Sequence, residues 1–138
     1  MPRSAVFLAA ALVASPLIAD QIAAMPPSVL DWATTPEGVA FAPLVGDRFV
    51  GGYMAMVQLP AGLISPAHSK SADMFGLVIS GVMTHVAHGN VGPEVFLPEG
   101  SFYHIPADLP HVSRCVSRVD CVTFLYQDGA FDFVPVAR

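Results

Sequence analysis

Polar and apolar positions alternate along most of this chain, in short runs that proline and glycine cut apart. The runs fall at residues 29–32, 39–44, 49–59, 68–70, 74–80, 82–88, 94–97, 102–105, 111–116, 119–126 and 131–136. Turn signals stand between them: Gly46-Asp47, Pro60-Ala61-Gly62, Gly89-Asn90, Gly92-Pro93, Pro98-Glu99-Gly100 and Asp128-Gly129. A period of two is the signature of a strand with one buried face. Beyond the first 24 residues no stretch keeps a period of 3.6 over eleven residues or more. Many short strands at regular spacing predict an all-β sandwich or barrel. There is no repeat of fixed length and no linker that would divide the chain.

Composition agrees with one packed domain. Of 138 residues, 54% are hydrophobic and only 12% are charged, which argues against intrinsic disorder. The formal net charge of -5, with no basic stripe, argues against nucleic acid or an anionic membrane as partner. The chain opens MPRSAVFLAAALVASPLIA, one cation followed by an apolar run and small residues. This predicts a signal peptide over residues 1–24, a mature domain over 25–138, and a periplasmic or secreted location. The apolar run is shorter than a bilayer span, and no membrane span is expected once the leader is removed.

The chemistry-bearing residues fall in two stretches. GLISPAHSKSADMFGLVISG, residues 62–81, places His68 and Lys70 on one face of a short strand. GSFYHIPADLPHVSRC, residues 100–115, places His111 and Cys115 on one face of another. Imidazoles suit zinc, copper, iron and nickel, but His-x-Lys with one distant histidine is by itself a sparse metal pattern. Of Tyr103 and His104 only one can face inward. His85 and His88, three apart, point to opposite faces and are expected at the surface. Cys115 and Cys121 stand opposite each other across a predicted hairpin. In an exported chain this favours a Cys115–Cys121 disulfide; the alternative is Cys115 as a thiol in the pocket.

The first stretch resembles the first motif of the cupin superfamily: Gly62, five residues, His68-x-Lys70, three residues, Met74, six residues, Gly81. The second resembles the other cupin motif: Gly100, five residues, Pro106-x-Asp108, two residues, His111, three residues, Cys115. The resemblance covers about residues 39–136. The run ISG, the GS-x4-P turn and the ending Gln127-Asp128-Gly129-x-Phe131-Asp132 look like a group of small single-domain bacterial cupins. It implies a double-stranded β-helix, the cupin jelly-roll barrel, with a pocket inside. It also implies a homodimer.

In metal-binding cupins the ligands are two histidines and a glutamate of the first motif and the histidine of the second. Those positions hold His68, Lys70, Met74 and His111 here. A protonated lysine has no lone pair to offer, and a thioether suits copper(I) better than iron(II) or zinc. Asp73 beside the glutamate position, and His104 on the strand before His111, are the substitute ligands. A metal reading therefore uses His68, His111, Asp73 and His104 around iron, zinc, copper, nickel or manganese, for dioxygenase-like chemistry. A metal-free reading makes Lys70, His68 and His111 the catalytic set of a lyase or isomerase, with Met74, Tyr103 and Cys115 in the pocket. The third reading is a binding module for a small molecule or a metal, without turnover.

Overall fold

The computed structural model describes residues 22–136. The expected leader lies almost wholly outside that range. A single 3-10 turn, Pro27–Val29, opens the described chain. Ten strands follow: β1 Ala33–Thr34, β2 Ala40–Val45, β3 Tyr53–Leu59, β4 His68–Ser69, β5 Met74–Ser80, β6 Met83–Ala87, β7 Phe102–Ile105, β8 His111–Cys115, β9 Cys121–Gln127 and β10 Val134–Pro135. They form two antiparallel sheets, ordered β1-β2-β3-β9-β5-β7 and β10-β4-β8-β6. The fold is the jelly roll that the alternation and the two motifs predict. Strands distant in sequence pair as neighbours, as β3 and β9 do over seven residues from Tyr53↔Gln127 to Leu59↔Cys121.

The alternation does the positioning. Along β3, Tyr53, Ala55, Val57 and Leu59 are buried while the residues between them are not. Cys121, Thr123, Leu125 and Gln127 do the same on β9. These inward rows meet Met83 and Cys115 from the second sheet to make the core. Burial of such apolar side chains at roughly 25 cal/mol per Å² is the main favourable term in folding.

Four predicted elements differ from the structure. Residues 29–32 are not a strand: prolines 26 and 27 set a 3-10 turn, and pairing starts at Ala33. The third strand starts at Tyr53 rather than at residue 49, because Asp47 turns the chain. Its carbonyl accepts from the amides of Val50 and Gly51, and its carboxylate accepts from the amide of Phe49. Residues 94–97 form no strand, only an isolated bridge between Leu97 and Met83. Glu94 instead accepts hydrogen bonds from Thr84 and Arg114. Of residues 131–136 only Val134 and Pro135 pair, with β4.

Two backbone positions hold the motif frame. Gly81 ends β5 at φ +79°, and a Cβ there would meet Cys121 Sγ and Ser117 Oγ at 2.9 Å. Asp108, which stands where the second cupin motif has glycine, adopts φ +60°. Aspartate is among the few residues that tolerate this region. Its amide donates to the carbonyl of Lys70 at 2.7 Å, so the turn of the second motif is tied to the strand of the first.

The expected disulfide joins Cys115 to Cys121, with Cα atoms 5.7 Å apart. It closes the hairpin between β8 and β9, and neither cysteine is a thiol. Closing a loop with a sequence separation of 6 removes chain entropy worth about 2 kcal/mol. Replacing both cysteines with alanine should lower the stability in urea by about that amount. Near-native circular dichroism should persist.

Candidate functional site

The site begins with a cross-strand pair. His68 on β4 stands opposite His111 on β8, and their ring centroids are 4.4 Å apart. Both side chains point inward and are nearly fully buried, 5% and 1% exposed. Each ring is held by a carbonyl two residues upstream: His68 Nδ1–H donates to Pro66 O at 2.8 Å, and His111 Nδ1–H to Leu109 O at 2.9 Å. A carbonyl can only accept, so Nδ1 carries the proton and Nε2 keeps its lone pair. His111 Nε2 is buried without a partner.

A third histidine joins them. His85 is not at the surface as its spacing suggests. On β6 it pairs with Ser113, while Ala87 pairs with His111, so His85 lies diagonally across from His111 on one sheet face. Its Nδ1 is 2.9 Å from Ser113 Oγ, and its Nε2 is buried without a partner. The Tyr103 ring packs against it at 4.2 Å. The signal for this placement was the apolar Met83 two residues earlier, which lines the same cavity. His88, one residue beyond the strand, is exposed as expected.

Burial makes these imidazoles hard to protonate. Loss of water is the largest cause in each case. It lowers His68 to about 4 and His85 to about 3, and it moves His111 down as well. The neighbouring histidines push His68 and His85 in the same direction, and the Lys70 charge does so for His68 and His111. Around pH 7 the cluster is neutral.

Lys70 supplies the charge. It is 6% exposed, and burial lowers it to about 8 despite the attraction of Asp132. Its ammonium donates to the Asp132 carbonyl and lies 3.9 Å from the centroid of the Phe131 ring. The Asp132 carboxylate accepts from the amide of Ser71 instead. Phe133 stacks on His68 at 4.2 Å with 14° between the rings. Residues 131–135 thus run antiparallel alongside the motif-one strand and strap its edge.

Between the sheets lies a cavity of about 470 Å³, within the range of small-molecule sites. His68, Lys70, His85, Met74, Tyr103 and Ser113 line it, and most of the remaining wall is apolar, including Phe41, Val57, Leu125, Phe131 and Phe133. His111 supports His68 and is off the cavity wall. Tyr103 is pinned by a 3.0 Å hydrogen bond between its hydroxyl and Thr123 Oγ1. Burial raises it to about 12, so it stays a phenol. Its ring lies over Gly76, where a Cβ would overlap the ring.

Three of the expected site residues are elsewhere. On β7 Tyr103 and Ile105 take the inward slots, so His104 faces out and stacks on Phe75 at 4.5 Å. Asp73 does not slip into the strand, because Met74 holds that inward position. Asp73 instead accepts from the Ala107 amide at 2.7 Å and pairs with His104 at 3.3 Å, both side chains about two-fifths exposed (43% and 39%). Cys115 is in the disulfide and off the wall. The donor set therefore does not fit the cupin metal centre. Among the described residues no three His, Cys, Asp or Glu side chains converge as ligands. The two remaining ligand positions carry an ammonium and a thioether.

The two sheets, the paired motif strands and the interior cavity define a cupin-type barrel. Residues 20–131 match the family model of the ChrR cupin-like domain, and the chain belongs to that family. Solved structures agree on the fold. The polyketide cyclase RemF from Streptomyces resistomycificus superposes with TM-score 0.67 at 15% identity, covering 86% of this chain and 87% of that one. KdgF from Halomonas sp. gives 0.62 at 16% identity, covering 78% and 94%. The DMSP lyase DddQ from Ruegeria pomeroyi DSS-3 gives 0.60 at 22%, covering 79% of this chain and 61% of that one. A sequence search of curated proteins returns no match.

Two outcomes follow from this packing. Gly76→Ala should destabilise the fold by at least about 1–3 kcal/mol, measured by urea unfolding, because it displaces the Tyr103 ring. The three histidines, all lowered on folding, bind more protons in the unfolded chain. Their stabilising contribution is complete above pH 6.5 and is lost as pH falls towards 4. Stability measured at pH 7 and pH 5 should therefore drop on acidification, and drop less in a His85→Phe variant.

Proposed function

We propose that this cupin is a small-molecule enzyme that works by acid–base chemistry in its barrel, as an isomerase or lyase. The observation that carries the reading is a neutral, carbonyl-pinned His68 on the same cavity wall as the Lys70 ammonium. The Nε2 lone pair of His68 takes a proton from a carbon next to a carbonyl group. The Lys70 ammonium holds the oxygen on which charge develops. The proton then returns to a neighbouring carbon, or a leaving group departs from it. His111 keeps the base oriented, and the phenol of Tyr103 and the apolar wall keep bulk water away. That a polyketide cyclase and a DMSP lyase share the fold supports a catalytic reading, while their low identity leaves the reaction to be drawn from this site.

One observation favours a second reading. The Nδ1–H to carbonyl bonds of His68 and His111 are the arrangement that orients imidazole ligands in metal sites, and cupins such as an oxalate oxidase share this fold. Elemental analysis of untagged protein separates the two. The acid–base reading expects substoichiometric iron, zinc, copper, nickel and manganese. One equivalent of metal that disappears in His68→Ala would overturn it. Lys70→Met should reduce turnover of an α-acidic carbonyl substrate by at least about 100-fold, the usual scale of a lost electrostatic contact. Folding should be retained by circular dichroism. Binding without turnover in the wild type would leave the binding-module reading.

A further inference from the structure

Lys70 lacks the partner that a buried ammonium normally has. Buried charges are generally paired, yet among the described residues no carboxylate lies within ion-pair distance of it. The carboxylates in contact with basic side chains there are Asp73, against His104, and Glu94, against Arg114. Asp132, the nearest acid, offers its backbone carbonyl to Lys70 and turns its carboxylate to the Ser71 amide. An ammonium has three donors, and the protein accepts one of them.

The surroundings say what the missing partner is. Among the described residues, Lys70 is the one Lys or Arg on the cavity wall, and the one acid there is Glu37, an exposed residue. Arg48 is committed elsewhere, with its guanidinium 4.4 Å from the Phe41 ring centroid and 4.2 Å from that of Phe49. One cation in an apolar wall matches one anionic group on an apolar body, and Glu37 repels a second anion. A cavity of about 470 Å³ has room for roughly 20–25 non-hydrogen atoms at protein-like packing.

We infer that the molecule this cavity takes is an apolar-bodied monocarboxylate, its carboxylate on Lys70 and its body against Phe41, Val57 and Leu125. The assignment builds on the acid–base reading, because it makes the oxygen held by Lys70 part of a carboxylate. The carboxylate completes the ion pair that the fold leaves open, and the apolar body replaces water on a wall that gives water few hydrogen bonds.

Titration calorimetry of the full chain with phenylacetate, 2-phenylethanol and adipate tests it. Phenylacetate should bind at least tenfold tighter than 2-phenylethanol, its neutral analogue, and tighter than adipate. Lys70→Met should erase the difference between acid and alcohol. Lys70→Arg, which keeps the charge if the methionine variant does not fold, should preserve it. Equal binding of acid and alcohol by the wild type, or an acid preference that survives in Lys70→Met, would overturn the inference, as would adipate binding as tightly as phenylacetate. His68→Ala should leave the acid preference intact. A Lys70-dependent acid preference without turnover of any acid would sink the enzyme reading and leave this assignment standing. His68-dependent turnover of neutral carbonyl compounds without acid preference would do the reverse.

Discussion

The interior of this barrel is organised by the cost of taking one ammonium out of water. Lys70 occupies the space where related barrels put a metal ligand, and a charge there must be met by dipoles, rings or a counter-ion. The protein meets it in part, with the Asp132 carbonyl and the Phe131 ring. Both groups come from residues 131–135, which run beside the motif-one strand, although only Val134 and Pro135 pair with it. The same burial keeps the histidines neutral, reinforced at His68 and His111 by the nearby cation, and so gives them the lone pairs of a base rather than the charge of an acid.

The barrel divides its labour between two sheets. The six-stranded sheet supplies most of the apolar inner surface, through the alternating rows of β3 and β9. The four-stranded sheet supplies the polar edge, because β4, β6 and β8 carry His68, His85, His111 and Ser113 in adjacent inward positions. The disulfide at the end of β8 holds that strand to β9 and so to the other sheet. A ligand between the sheets meets grease on one side and imidazole on the other.

The fold was legible because strand parity and turn residues are local properties. Residues 74–80 and 102–105 could be bounded from sequence, and the hairpin spacing gave the Cys115–Cys121 bond. The site was legible in part. His68, Lys70, Met74 and His111 were marked by motif spacing, and all four are buried. Asp73 and His104 were not resolvable from spacing, because a shift of one residue reverses every side chain on a strand. Only pairing with neighbouring strands fixes that parity. The same ambiguity hid His85, whose strand alternates weakly. Residues 131–133 were missed as a strap because a segment held by a lysine and an aromatic stack has no periodicity to read.

Asp108 at φ +60° carries a wider lesson. The turn it makes is one that glycine makes more easily, and it is kept by an amide bond to the strand rather than by the identity of the residue. Gly62, Gly81 and Gly100 meet similar backbone demands, and none of those demands refers to what the barrel holds. The scaffold and its cargo are therefore specified by separate sets of positions. The main chain keeps its bends with Lys70 and Met74 at two positions where metal-binding barrels of this class carry ligands. Family membership in barrels of this kind is a statement about architecture, and chemistry must be established position by position.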